Sequence, residues 1–372
     1  MKVLVTGATG FIGRQLTLAL ATAGYDVKAL CRNTDHPYLI KHKNIEPVLG
    51  NILYKQSLLR AMEGCTLVYH TAAMAKMWCR NPDDYHDTNV TGTRNVLEIA
   101  AQTGVKKIVH TSTCGVWGPT LKHPMTETDP RISGFPIAYE RTKYLAELEV
   151  QNFVKQGLPV TIVNPSRVYG EGPVTDSNTV GKIIAGYLKG KWRVIPGNGE
   201  QVANYAFLDD VVAGHIAAMD KGVAGERYIL GGHDISFNAF FDTLRQVSGM
   251  QRTLLKIPLN AIELYSRLEW LKIRLTGLSP RFLPEFAERL KYDQKYCSNK
   301  AIDQLGYNIT PFSEGLYKTV SYIKGINGIK NRTNKDSGSE KSLEPENRKS
   351  VETKMTAKKQ EQGIQKTQLC NN

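Results

Sequence analysis

The chain has 372 residues, 41% of them hydrophobic, and a formal net charge of +13, enough material for one large α/β domain or two smaller ones with a sizeable core. No apolar run approaches the roughly 20 residues that span a bilayer, so no transmembrane helix is expected, and no nucleic-acid-binding motif accompanies the positive charge, which reads as a general basic background. Six cysteines stand without a C-x-x-C pair or a His/Cys cluster of metal spacing, so they read as reduced structural thiols and no metal is expected; with no visible secretory leader, the expected location is the cytoplasm.

Val3-Leu4-Val5 reads as a first strand and Arg14 to Ala23 as the helix after it. Between them lies Thr6-Gly7-Ala8-Thr9-Gly10-Phe11-Ile12-Gly13. A glycine turn in this strand-to-helix context is a dinucleotide-binding signature. Gly7 permits the tight turn, Gly10 lets the backbone approach a pyrophosphate, and Gly13 lets helix and strand pack closely. The helix N-terminus then offers free N–H groups and partial positive charge to the phosphates. The second strand, Val27 to Leu30, runs into Cys31-Arg32. An acid there would bind the adenosine ribose 2′-hydroxyl; Arg32 instead suits a 2′-phosphate, so NADP(H) is favoured over NAD(H).

Strands follow at Ile45–Leu49, Leu67–His70, Lys107–His110 and Val160–Val163, with helices at Ser57–Met62, Asn89–Thr103 and Ala138–Gln156. Strands alternating with helices imply right-handed crossovers and a doubly wound parallel Rossmann sheet covered on both faces. The pattern loosens after Pro165: helices are expected at Val180–Leu188, Asp210–Met219, Phe237–Ser248 and Leu259–Leu275, and a strand at Tyr228–Leu230. The expected organisation is a cofactor-binding core over 1–165, a smaller interleaved C-terminal substrate-binding region over 166–325 that also completes the sheet, and a disordered basic tail over 326–372. The tail has no aromatic residue and cannot bury enough apolar area to offset its ordering entropy. Ile257 to Leu275, rich in Leu with Trp270, Lys272 and Arg274, is expected to be a core or subunit-facing helix, with peripheral membrane contact as the other reading.

Tyr139 and Lys143 stand four apart, on one face of the Ala138–Gln156 helix. A neighbouring ammonium is expected to lower the phenol's pKa, so that Tyr139 exchanges a proton with a carbonyl oxygen as hydride moves. Thr111-Ser112-Thr113-Cys114 follows the Lys107–His110 strand, and a hydroxyl at the carboxyl end of a parallel strand lies at the cofactor crevice. Thr113 is the candidate to orient the substrate oxygen beside Tyr139.

These residues resemble the extended short-chain dehydrogenase/reductase family, also called the NAD-dependent epimerase/dehydratase family, over roughly Met1 to Gly325. The likeness includes His70-Thr71-Ala72-Ala73, Asn89-Val90-Thr91-Gly92-Thr93, Asn164-Pro165-Ser166-Arg167-Val168-Tyr169-Gly170 and Leu208-Asp209-Asp210-Val211. It implies catalysis by Thr113, Tyr139 and Lys143. It also implies a cofactor site built from Gly7, Thr9, Gly10, Phe11, Ile12, Gly13, Arg32, Asn51, Ile52, Thr71, Ala72, Ala73, Asn89, Tyr139, Lys143, Pro165 and Arg167. Ala72 and Ala73 would line the adenosine and ribose side, and Pro165 and Arg167 would border the nicotinamide. Asn51 stands where the family usually has Asp.

Within the family the chain is similar to the dihydroflavonol 4-reductase-like branch. Nucleotide-sugar dehydratases carry an acid directly after the catalytic Ser or Thr; here Cys114 and Gly115 follow. Nucleotide-sugar epimerases commonly place Asn where Arg167 stands, and Arg where this chain has Ala203. The resemblance thus implies an NADPH-dependent reductase of a small or moderately apolar ketone. The alternatives are a nucleotide-sugar epimerase with tightly bound NAD and a non-catalytic dinucleotide sensor. Homodimers are common in the family.

Overall fold

In a computed structural model of the chain, described for residues 1–327 apart from 77, 132, 133, 136, 277 and 279–281, the N-terminal half follows the sequence pattern closely. Strands β1 (Lys2–Thr6), β2 (Asp26–Cys31), β3 (Ile45–Leu49), β4 (Leu67–His70), β5 (Lys107–Thr111) and β6 (Val160–Pro165) are joined through helices α1 (Phe11–Thr22), α2 (Lys55–Met62), α3 (Asp83–His86), α4 (Gly92–Gln102) and α5 (Ala138–Lys155). Pro47, which donates no ladder hydrogen bond, sits in β3, and β3 is an edge strand.

Beyond Pro165 come β7 (Arg167–Tyr169), α6 (Thr179–Leu188), β8 (Val194–Pro196), β9 (Val202–Phe207), α7 (Leu208–Lys221), β10 (Arg227–Leu230), β11 (His233–Ser236), α8 (Phe237–Ser248) and β12 (Leu255–Ile257). Helices α9 (Leu259–Thr276), α10 (Pro284–Arg289), α11 (Asn299–Leu305) and α12 (Phe312–Asn327) complete the described chain. The central sheet has seven parallel strands in the order β10-β6-β5-β4-β1-β2-β3. Strand β10 therefore returns to the sheet beside β6 from well beyond Pro165. Two small sheets, β11-β9-β7 and β12-β8, lie apart from it.

Each face of the central sheet is covered, as a parallel sheet requires. Successive side chains of β1 point to opposite faces. Val3 and Val5 join a layer containing Leu16 and Leu20 of α1 and Val211 and Ala218 of α7. Leu4 joins the other, with Leu58 and Met62 of α2, Val96 and Leu97 of α4, and Val150 of α5. Each such side chain contributes about 1.5–3 kcal/mol by leaving water. Met1–Ile323 form one compact unit; from residue 328 the expected disordered tail lies outside the described residues.

Two expectations change. The helix expected from Asn89 begins at Asp83 and passes through a π-helical turn, Asp87–Thr91, before α4. Such a turn inserts an extra residue and re-aims side chains. The helix expected to face the core or a subunit, α9, does not enter the core: it fully buries only Ser266 and Glu269, while Leu264, Leu268, Leu271 and Leu275 are exposed. Its leucines lie on the side opposite the one the body covers, where Ile262 and Ile273 are half-buried. No helix among the described residues is long and apolar enough to cross a membrane.

Candidate active site

The sheet order reverses between β1 and β4, and the loops after these two strands meet at their carboxyl ends. Gly7 adopts φ 73°, and a Cβ there would lie 2.7 Å from Ala72 N. A Cβ on Gly13 would lie 2.3 Å from Gly7 O and 2.4 Å from Thr71 Oγ1. Only glycine fits at either position. Thr71 Oγ1 donates to Thr6 O at 2.7 Å and Gly10 N donates to Gly7 O at 2.8 Å, which fixes the mouth of the crevice. Gly10 is the N-cap of α1 and no side chain caps this helix. An uncapped helix N-terminus behind a glycine turn, at the switch point of a parallel sheet, fits the pyrophosphate of a dinucleotide. Thr9 and Ile12 flank the same turn, and Phe11 is buried against the position of Gly172.

On the β5 and β6 side, Thr113 lies just beyond β5 and caps the turn Cys114–Val116, its Oγ1 accepting from Gly115 N at 3.2 Å. Its hydroxyl also hydrogen-bonds the phenol of Tyr139. The two expected reacting hydroxyls are therefore brought together. Burial pushes the Tyr139 phenol up to about 12, assisted by the Glu140 carboxylate and opposed by the Thr113 hydroxyl and the Arg289 guanidinium. The expected lowering of this phenol by Lys143 is thus not what the structure shows. Loss of hydration around the phenolate outweighs the favourable charges. A phenol in this state carries its proton at neutral pH and can donate it.

Lys143 is buried, and its Nζ lies 3.3 Å from His110 Nε2. Burial pulls the ammonium down to about 8, with Glu147 working against the shift. Burial and Lys143 hold His110 well below the usual imidazole range, and its neighbour His70 is lowered to about 3 for the same reasons. Both imidazoles are neutral at pH 7, so His110 is an acceptor for the ammonium. Glu147, one helical turn beyond Lys143, accepts from Asn164 Nδ2 at 2.7 Å and faces Arg227 at 3.7 Å. Asn164 Nδ2 also donates to Thr113 O at 3.2 Å, linking the carboxylate beneath the site to the turn that carries Thr113.

The remaining expected contacts divide. Arg32 is exposed just after β2. Ala72, Ala73 and Asn51 are half-buried near the strand ends. Asn51 Oδ1 accepts from Leu53 N at 3.1 Å and so shapes its own loop. Ile52 is buried, touching the position of Gly92 on α4. Asn89, in the π turn, is fully buried: its amide accepts from Met74 N at 2.7 Å and donates to Thr142 Oγ1 at 2.9 Å. It ties the loop after β4 to the helix that carries Lys143. Pro165 ends β6 and is buried there. Arg167 is half-buried and donates to Gln294 Oε1 at 2.9 Å, with a further hydrogen bond to Tyr205.

Several residues that sequence reasoning missed brace the same site. Arg131 donates to Gly115 O at 2.7 Å and Val116 O at 3.0 Å, and its guanidinium stacks 3.7 Å over Phe135. Glu140, next to Tyr139, pairs with Arg289 of α10 at 2.7 Å.

Residues 3–231 match the NAD dependent epimerase/dehydratase family. The chain belongs to this family. Family members of this type are enzymes that depend on a nicotinamide dinucleotide, and the fold and glycine turn agree with that. Among its relatives, a Synechocystis sp. protein designated a dihydroflavonol 4-reductase is 29% identical over 88% of this chain and 95% of its own length. Sterol demethylase protein B of Methylococcus capsulatus is 32% identical over 78% of this chain and 86% of its own. Among solved structures, the UDP-glucose 4-epimerase of Thermotoga maritima, determined with UDP-glucose, superposes with a TM-score of 0.73 at 26% identity, covering 88% of this chain and all of that one. The family thus spans reductases and epimerases, and this member carries the dinucleotide mouth common to both.

Proposed function

We propose that this family member is an NADP(H)-dependent reductase of an apolar ketone, running as an alcohol dehydrogenase in reverse. The observation that carries the reading is the Thr113–Tyr139 hydroxyl pair, with the phenol held protonated at neutral pH. When bound, the cofactor supplies hydride to the carbonyl carbon. Thr113 orients the carbonyl oxygen, and Tyr139 gives that oxygen its proton as negative charge develops on it. Lys143, a buried cation at neutral pH, holds the cofactor ribose. Glu140, clamped by Arg289 and close to Arg131, keeps the start of α5 in place. Gly7, Gly10 and the start of α1 hold the pyrophosphate, and Arg32 holds the 2′-phosphate.

Reduction is favoured over epimerisation by the residues at positions 203 and 167. Ala203 is buried in β9, paired with Ile235, where an epimerase of this family places a guanidinium. Arg167 is already engaged by Gln294 and Tyr205. Without charge-assisted bidentate contacts a nucleotide sugar loses its main anchor. The relatives designated a dihydroflavonol reductase and a sterol demethylase component suggest a ring-bearing, largely apolar ketone.

The test is a panel of flavonoid, steroid and alkyl ketones with NADPH and NADH, alongside UDP-sugars. Ketone-dependent NADPH oxidation that vanishes in Tyr139→Phe supports the proposal. The likeness to the UDP-glucose epimerase keeps one second reading in view. Stoichiometric NAD carried through purification, with UDP-sugar interconversion and no demand for added cofactor, would establish that reading instead.

A further inference from the structure

The exposed side of α9 has a regular design. Ala261, Leu264, Leu268, Leu271 and Leu275 recur at alternating spacings of three and four and form one straight apolar seam. The seam faces away from the protein: Leu264 is 62% exposed, Leu268 57%, Leu271 49% and Leu275 77%. The side turned inward carries Ser266 and Glu269, both buried, between Ile262 and Ile273, which are half-buried. A helix that turns its isoleucines to its own domain and still leaves a row of leucines facing out is made to be covered by something else.

The charges beside the seam identify the cover. Arg267 and Arg274 flank one side, and Tyr265 and Lys272 flank the other. Glu263 pairs with the Arg267 guanidinium at 2.6 Å, and the buried Glu269 with the Lys272 ammonium at 3.6 Å. Arg274 stacks 4.4 Å from the ring of Trp270, which is itself 43% exposed. The two arginines are exposed, Lys272 is half-buried, and Glu269 is buried. If a second copy packed on this seam, the flanks would bring Arg267, Lys272 and Arg274 against their own equivalents in parallel and antiparallel alignments alike, a like-charge arrangement that opposes self-pairing. An anionic lipid surface meets the same design favourably. Leucines enter the acyl boundary, Trp and Tyr sit at headgroup level, and Arg and Lys reach the phosphates.

We propose that α9 lies in the plane of an anionic membrane surface, with Leu264, Leu268, Leu271 and Leu275 inserted and Arg267, Lys272 and Arg274 on the headgroups. The proposal is independent of the catalytic reading, and vesicle binding tests it without any turnover. Full-length protein is sedimented with vesicles of phosphatidylcholine alone and of equal parts phosphatidylcholine and phosphatidylglycerol. Partitioning to the anionic vesicles is expected, and it should weaken as salt shortens the Debye length from about 10 Å to about 3 Å. Leu268→Glu/Leu271→Glu should reduce the partition coefficient at least about tenfold, since each leucine gains about 1.5–3 kcal/mol on burial. Arg267→Gln/Arg274→Gln, which leaves the seam intact, should flatten the salt dependence. Brominated lipid should quench wild-type fluorescence more than that of Trp270→Phe. The proposal is overturned if the leucine double variant, retaining wild-type circular dichroism and melting, binds anionic vesicles as the wild type does, which would assign binding to the basic tail. It is equally overturned if light scattering shows a wild-type dimer that the leucine variant dissociates, with no vesicle partitioning; the cover would then be a second copy.

Discussion

Tyr139 and Lys143 divide the chemistry through opposite responses to the same burial. Burial raises the phenol to about 12 and lowers the ammonium to about 8, so at neutral pH one is a neutral acid and the other a cation. Tyr139→Phe should lower kcat for ketone reduction at least about 100-fold, while leaving NADPH binding measurable by fluorescence. The rate of reduction should be level at lower pH and fall as Lys143 loses its proton above about pH 8, and Lys143→Met should abolish that inflection. The same lysine has a stability signature. Its folded pKa lies below the unfolded value of about 10.4, so between the two the unfolded chain holds the extra proton. Stability should therefore rise with pH through that window, and the cost of the buried ammonium is fully present below about 8. Lys143→Met removes the cost, since Glu147 keeps Asn164 and Arg227. Its melting temperature should equal or exceed the wild type's near neutral pH, with the advantage shrinking near about pH 10. A variant that melts lower at both pH values would contradict this account.

The glycine turn between β1 and α1 makes two separable demands, a left-handed backbone at Gly7 and space beside Ala72. Gly24, at φ 88° after α1, makes only the first, with nothing within 4 Å of its Cβ position. Gly24→Ala should cost about 1–2 kcal/mol in urea unfolding. Gly7→Ala should cost distinctly more, because strands β1 and β4 must also separate, and equal costs would show that the crowding carries no weight. This turn was legible in the sequence because flanking strand and helix periods framed it. So were the strands from β1 to β6, each four to six residues long around a short apolar stretch. Beyond Pro165 the signal fails for physical reasons. Strands β7, β8 and β12 have three residues each, too few to carry a period. Helix α9 shows a strong apolar period, but a period reports a face and not what the face meets. Helix α12 carries Phe312, Leu316, Val320 and Ile323 at helical spacing, all buried, beside a polar tail that obscured it. The partners of Glu140 come from Arg131 and from Arg289 on α10, a pairing that no local pattern announces.

Across the whole molecule, dinucleotide binding and stability are linked, because a ligand that binds only the folded chain stabilises it by about 2.7 kcal/mol at a hundredfold excess over Kd. NADPH should raise the melting temperature more than NADH at equal concentration, and Arg32→Asp should reverse that order by removing the 2′-phosphate partner and restoring a ribose hydroxyl acceptor. An unchanged order would place the discrimination elsewhere. The strand order has a different consequence, for synthesis. All six residues of β6 are buried in the finished sheet, and its outer neighbour β10 is encoded about sixty residues later. At about 5–20 residues per second, the ribosome leaves that apolar edge bare for roughly 3–12 s after β6 emerges. A nascent chain stalled in this interval presents an open template for aggregation, so a codon-level slowdown between residues 166 and 226 should reduce soluble yield without altering the mature protein.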